Sequence, residues 1–302
     1  MSAPSVTDAG SLRFNLCRVE TRRGTPHFDE AVAQLYGALV DLGHDCTVTV
    51  NQTIPGAVNV LIGSLQSVWP YCSTVLPSVR DHGFVLYQME PLHLGRGLFR
   101  DHIDTWTDLF SRAGAIWEYS PHGMGYFAAS PWAAKVHYVP PMFHRVLESF
   151  TPARNPTTDV LFYGTLSPRR VRILDRLVDH GVRPIVLKGA YAEPRDAEIR
   201  IAKVVLNIHQ SNADVLETLR LAQLLANRCF CVSEASDHDP FDGGVVYAPY
   251  DRLVETCIAY LERPDERAAI AERGYAAMRR HDMVANLRAA IAKLPIAAML
   301  GS

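Results

Sequence analysis

Short runs of β-branched and aromatic residues alternate with stretches of helical period along most of the chain, and this alternation restricts the fold more than any other feature. LRFNLCRV (12–19) has the composition of a strand. GTPHFDEAVAQLYGALVDLGHD follows, with Phe28, Val32, Leu35, Leu39 and Leu42 at helical spacing and Gly43 as a stop. CTVTV (46–50), AVNVLIG (57–63) and GFVLYQ (83–88) read as strands, and FRDHIDTWTDLFSRA reads as a helix. AIWEYS (115–120) and KVHYVP (135–140) are two further strands. Strands separated by helices specify βαβ units and a parallel sheet.

The pattern breaks at ESFTPARNPTTD (148–159), where two prolines and a polar run have the composition of a linker. It then restarts. DVLFYGTL (159–166) is a strand with a glycine turn, and RRVRILDRLVDHG (169–181) is a helix stopped by Gly181. PIVLKG, AKVVLNIH, CFCVSE and VVYA are strands, and YDRLVETCIAYLERPDERAAIAERGYAAMRRHD carries the closing helices. The expectation is two α/β domains, 1–150 and 151–302, each Rossmann-like with a mainly parallel sheet, facing each other across a cleft. The apolar C-terminal LRAAIAKLPIAAML leaves two readings open, a return to the first domain or a homodimer contact.

Composition narrows the function classes. The 302 residues are 48% apolar and 21% charged, with a formal net charge of −2, so no basic excess points to nucleic acid. No run approaches the roughly 18 apolar residues of a membrane span. The N-terminal MSAPSVTDAGS lacks the pattern of a secretory signal, and a cytoplasmic protein is expected. Cys17, Cys46, Cys72, Cys229, Cys231 and Cys257 lack paired zinc-site spacing, and most lie in apolar runs, so they read as free thiols.

In parallel sheets ligands bind beyond the carboxyl ends of strands. In the second half, Gly164 and Thr165 follow a strand, and Arg169 and Arg170 lie in the first turn of the next helix. A helix start attracts anions, and arginine binds phosphate bidentately, so this loop is a candidate diphosphate clamp. Asn207 and His209 end the VVLNIH strand, and Lys188 ends PIVLKG. With Asp214 as N-cap, Glu217 falls at N3 of a capping box. It also heads a polar stripe, Glu217, Arg220, Gln223 and Asn227, that reads as a solvent face or as a ligand edge, with Gln223 and Asn227, further from the mouth, read as structural. A carboxylate at that mouth suits two ribose hydroxyls. In the first half, Glu90, Glu118 and His27 are candidates for the base that deprotonates an incoming hydroxyl. Asp29 caps the first helix in the alternative reading of that loop. Asp237 and Asp239 in SDHDPFDGG read as turn residues before a metal pair, and no metal site is expected.

Taken in order, the GTPH loop, the helix ending LGHD, the proline-rich linker, DVLFYGTLSPRR, AKVVLNIH, LETLRLAQLLANRCFCVSE and YDRLVETC resemble the GT-B glycosyltransferases. Within them the chain is most similar to the group-1-like and spore-maturation-protein-like bacterial members. The resemblance covers most of the chain and is strongest from Asp159 to about Gly274. It implies an acceptor-side domain over 1–150 and a nucleotide-sugar donor domain over 151–302, a metal-independent transfer, no cofactor, and a nucleotide sugar and an acceptor as substrates. It places Gly164 and Arg169 or Arg170 near the diphosphate, and Glu217 near the ribose or the sugar. Many retaining members carry two glutamates eight positions apart. Here His209 and Leu225 lie eight from Glu217, so stereochemistry does not carry over. The alternative is a non-catalytic GT-B-like module that binds a nucleotide or glycan or serves as a partner subunit.

Overall fold

A computed structural model of the chain describes residues 11–20, 28–63, 83–92, 103–210 and 215–300. The chain forms two compact units, Met1–Pro140 with Val284–Ser302, and Pro141–Met283.

The first unit carries six strands: β1 (Arg13–Arg18), β2 (Asp45–Val50), β3 (Val58–Gly63), β4 (Val85–Gln88), β5 (Ala115–Glu118) and β6 (Val136–Tyr138). They pair in the order β2-β1-β3-β4-β5-β6, and every pairing is parallel. Parallel strands are normally covered on both faces. Accordingly β3, β4 and β5 are buried at every position, whereas the edge strands β2 and β6 are partly open to solvent. Helices α1 (Asp29–Asp41), α2 (Ile103–Arg112) and α3 (Pro121–Ala128) belong to this unit. Trp106 stacks on Phe110 at 5.2 Å, and Phe127 meets Phe110 edge-on at 5.0 Å, which locks α3 to α2. The strand reading of this half holds. Helix α3 has no apolar period to announce it; Ser120 caps it by accepting from the Gly123 N–H, and Pro121 presets its first turn.

The second unit contains β7 (Thr158–Tyr163), α4 (Pro168–Asp179), β8 (Ile185–Leu187), α5 (Ala192–Arg200), β9 (Ala202–Asn207), α6 (Thr218–Ala226), β10 (Cys231–Glu234), β11 (Val246–Ala248), α7 (Leu253–Leu261) and α8 (Pro264–Arg280). Its strands run β11-β10-β9-β7-β8, again all parallel. Side chains alternate between the two faces as the period of two requires. Val160, Phe162, Val204 and Leu206 pack with Ile173 and Leu177 of α4, whereas Leu161, Tyr163 and Val205 pack with Leu221 and Leu225 of α6.

Helix α6 begins at Thr218 with Glu217 at the N-cap, so the capping-box reading fails; Asp214 lies outside the described residues. The polar stripe is not a solvent face either. Gln223 and Asn227 are buried. The Gln223 amide donates to Asp196 at 3.2 Å. Asn227 donates to Leu147 O and accepts from the N–H groups of Ser149 and Phe150. The Gln223 bond ties α6 to α5, and the Asn227 bonds fasten it to the segment that enters the unit.

After α8 the segment Val284–Ser302 belongs to the first unit, with α9 (Met283–Ile291) and α10 (Ile296–Leu300) as its helices. Met299 of α10 covers Gly114, just before β5. The outgoing and returning segments are tied at their crossing, where Phe143 donates to His281 O at 2.7 Å and Met283 donates to Phe143 O at 2.9 Å.

Helix α8 docks through a backbone contact. A Cβ on Gly274 would lie 2.6 Å from a Leu225 methyl and 2.8 Å from Gly244 O, too near for any side chain. Gly274→Ala is expected to destabilise the fold by about 1–3 kcal/mol through overpacking. The measurement is the urea midpoint of the variant; an unchanged midpoint rejects the contact as a constraint.

Candidate functional site

Strand β8 follows β7 in sequence, yet β7 pairs with β9 as well, so the direction of winding reverses between β7 and β9. Such a switch point splays the loops leaving the two carboxyl ends and opens a crevice there. Here the loops are Gly164–Ser167 after β7 and Ile208–Gln210 after β9, flanked by the starts of α4 and α6.

Arg170 links these parts. Its side chain is 3% exposed. Nε and Nη2 donate to Ile208 O at 2.9 and 2.7 Å, Nη1 donates to Thr165 O at 2.8 Å and to Gln210 Oε1 at 3.2 Å, and Nη2 reaches Glu217 Oε1 at 3.4 Å. A guanidinium has five N–H donors, and all five are used inside the protein. Arg169 forms a bidentate pair with Glu234, donates to His209 O at 3.1 Å, and lies over the Tyr250 ring at 4.1 Å.

His209 is buried. Its Nδ1 is 2.9 Å from Glu217 Oε2 and its Nε2 is 3.1 Å from Ala235 O. Glu217 Oε2 also accepts from the Asn207 amide at 2.9 Å. Burial alone would lower the imidazole's proton affinity, but Glu217 and Glu234 outweigh it and hold the group above its ordinary value. Burial likewise opposes ionisation of Glu217, and His209, Arg220 and Asn207 overcome it, so its carboxyl lies below its usual range.

Arg220 differs from the other two arginines. It projects from the first turn of α6, donates to Asn207 Oδ1 at 2.7 Å and lies over the Tyr163 ring at 4.7 Å. Among the described residues it has no carboxylate partner within ion-pair distance, and it is partly exposed. Its Nη2 fits against Gly164, where φ is +128° and an added Cβ would stand 2.9 Å from that nitrogen. Burial, then Arg220 itself, pushes Arg170 down to about 10. Three guanidiniums therefore surround two carboxylates, Glu217 and Glu234, with the excess charge on the exposed side. The arrangement can hold an anion.

Of the other candidates, Thr165 is exposed and contributes its carbonyl to Arg170, and Lys188 is exposed after the edge strand β8. In the first unit, Glu118 ends β5 and is fully buried. Its Oε1 accepts from the Ser120 N–H at 2.8 Å and hydroxyl at 2.7 Å, its Oε2 has no partner among the described residues, and burial pushes the carboxyl up to about 8. Gly123 packs so closely on this carboxyl that a Cβ there would overlap it. Glu90, two residues past β4, is partly exposed, and burial pushes it up to about 7. His27 lies outside the described residues.

Among the described residues no group of His, Cys, Asp and Glu could hold a metal ion. Asp239 instead accepts from the Phe241 N–H and the Tyr247 hydroxyl. Cys17, Cys46, Cys229, Cys231 and Cys257 are free thiols, Cys72 lies outside the described residues, and among the described residues no helix is long and apolar enough to cross a membrane. Two partners were missed from sequence. Glu234 ends β10 at the same sheet edge, a position the carboxyl-end rule covers, and Tyr163 ends β7.

Residues 193–292 match the glycosyl transferase-like family model. Mimivirus protein L140 of Acanthamoeba polyphaga mimivirus, uncharacterized, is 36% identical over 110 residues, which span 34% of this chain and 36% of that one. Protein L138 of the same virus is 34% identical over 111 residues, 13% of its length. The chain thus spans about a third or less of these relatives. Among solved structures, HepE of Anabaena in complex with UDP and glucose superposes with a TM-score of 0.65 at 12% identity, over 93% of this chain and 98% of that one. A glycosyltransferase of Rickettsia africae gives 0.53 at 7% identity, over 93% and 98%. TarM gives 0.55 at 8% identity, over 88% of this chain and 58% of that one. Two all-parallel units, a switch-point site and these likenesses identify the fold as that of the GT-B glycosyltransferases, with the glycosyl transferase-like family match lying over residues 193–292.

Proposed function

We propose that the protein transfers a sugar from a nucleotide-diphosphate sugar to an acceptor hydroxyl. The observation that carries this is Arg220, a guanidinium without a carboxylate partner among the described residues, aimed at the Gly164 turn of a switch-point crevice. The leaving group of such a transfer is a nucleoside diphosphate, and fixed positive charge stabilises the charge it develops. In this reading Arg220 contacts the diphosphate directly. Arg169 and Arg170 act through the loops they hold. Glu217, whose side chain is 23% exposed, faces the donor's hydroxyls. The guanidiniums supply the neutralising charge, which supports a metal-independent reaction. HepE was solved with UDP-glucose, so a uridine donor is the first to test.

The acceptor side is assigned to the first unit. Glu90 is the base this reading selects, because a carboxyl near 7 combines accessible deprotonation with adequate basicity. Glu118 is enclosed by Ser120 and Gly123 and is assigned to the support of that region.

Two sets of measurements decide. UDP binding by calorimetry should weaken about 10- to 100-fold in Arg220→Ala, the loss of charge-assisted hydrogen bonds worth about 1.5–3 kcal/mol. Gly164→Ala should weaken it too, by displacing the same guanidinium. Equal affinity in wild type and Arg220→Ala rejects the assignment. Hydrolysis of UDP-glucose without added acceptor should persist in EDTA and rise with pH through about 7, as Glu90 ionises. Glu90→Gln should lower that rate by about 10²–10⁴-fold. Binding without any hydrolysis would favour a non-catalytic binding module.

A further inference from the structure

His209 sits where neither of its neighbours can give it a proton-free hydrogen bond. Ala235 O is a carbonyl and only accepts, so Nε2 must carry a hydrogen. On the other side Nδ1 faces Glu217 Oε2, an oxygen that already accepts from Asn207 and whose carboxylate stands beside Arg170 and Arg220. With Glu217 ionised, that contact also requires a hydrogen on Nδ1. The ring therefore satisfies both contacts only as an imidazolium. The charged groups around it are Glu217 and Arg220 at the head of α6, Glu234 at the end of β10, and Arg169 and Arg170 at the head of α4. The two carboxylates lie in contact with the histidine itself, through its ring and through its backbone N–H, which donates to Glu234 at 2.9 Å.

Loss of one proton changes the contact qualitatively. Ala235 keeps the hydrogen on Nε2, and the Nδ1 lone pair then points at a carboxylate oxygen 2.9 Å away. That juxtaposition is repulsive, and Glu217 is the partly exposed member, free to turn outward. Its other restraints are a single Asn207 donor and a long contact to Arg170.

We propose that His209 is a positioning residue which, as an imidazolium, holds the Glu217 carboxylate in its donor-facing orientation and releases it on deprotonation, so that the protein binds nucleotide sugar best on the acid side of this titration. This rests on the donor-site reading above. It gives His209 a role distinct from substrate contact, since both ring nitrogens are already bonded within the protein.

Nitrogen NMR of the ligand-free protein labelled at histidine tests the first half alone. His209 should keep the imidazolium signature at about pH 7, above the ordinary histidine value of about 6.5. Glu217→Gln should abolish it at that pH. A neutral ring at about pH 7 in the wild type overturns the proposal.

Calorimetry with UDP-glucose tests the second half; its diphosphate is esterified at both ends and does not titrate here. Wild-type affinity should fall about tenfold as His209 loses its proton. His209→Gln, which keeps an amide donor but cannot titrate, should flatten that dependence while still binding. An imidazolium with pH-independent binding sinks the positioning role and leaves the donor site standing. An imidazolium with no nucleotide binding at any pH sinks the donor-site reading, and the positioning role with it.

Discussion

The second unit depends on one buried cation. Arg170 gives all five of its donors to the protein, and its acceptors come from three separate places: the loop after β7, the loop after β9, and the residue that opens α6. The guanidinium also lies 5.5 Å from the Phe162 ring, so its flat face meets the aromatic floor of the sheet. A charge taken out of water is costly unless every donor is satisfied, and removing one partner of such a network leaves the rest uncompensated. Arg170 therefore specifies the relative placement of the two loops more than it adds net stability. Arg169 does the same one residue earlier, reaching Glu234 on β10 and the carbonyl of His209. Together the adjacent arginines clamp three consecutive strand ends, β7, β9 and β10.

In the proposed reading, that division of labour leaves the third guanidinium to meet the donor. Arg169 and Arg170 have carboxylates close by, whereas Arg220 has an amide oxygen and a ring. Like charges at short range repel, and Arg220 adds to the burial that already holds Arg170 below its ordinary value. A free protein that retains such an excess stores an electrostatic cost at the crevice mouth. On the proposed donor reading, an arriving diphosphate relieves it without moving the scaffold, because the scaffold is already fixed by the two arginines behind. Preorganised charge of this kind loses little on binding, in contrast to a flexible clamp that must first be ordered.

Much of this was legible in the chain. Strand runs such as AVNVLIG and DVLFYGTL announced two parallel sheets, and the carboxyl-end rule pointed to Gly164, Asn207, His209 and Glu217. Two helices escaped for physical reasons. Helix α3 contains two glycines, and α5 is charged on all sides and includes a proline, so neither has an apolar period; tertiary burial of Phe127 and Ile199 stabilises them instead. The partners of the arginines escaped because they are remote, Glu234 lying 65 residues from Arg169 and Glu217 lying 47 from Arg170. Two neighbouring arginines at a helix start look alike in sequence, and only those distant carboxylates show that both serve the scaffold. On α6 the stripe left a solvent face open as a reading, whereas Gln223 and Asn227 serve as the structural residues their distance from the mouth suggested, as buried ties.

The histidine–glutamate contact adds a pH window to this scaffold. The lowered carboxyl of Glu217 contributes stability that is present above its unfolded value and is lost as pH falls through the folded one. The raised imidazole of His209 contributes stability that is complete below its ordinary value and is lost as pH rises through its folded one. The two losses lie at opposite ends, so the pair is intact only between them. Within that window both members are charged, because each group's burial penalty is outweighed by the other's charge and by Arg220 and Glu234 alongside. Separating the pair would leave either a carboxylate or an imidazole buried without its counterion, and each would then neutralise. The site is thus a set of mutually dependent ionisations, held in register by Arg170 and left with positive charge in excess where the crevice opens.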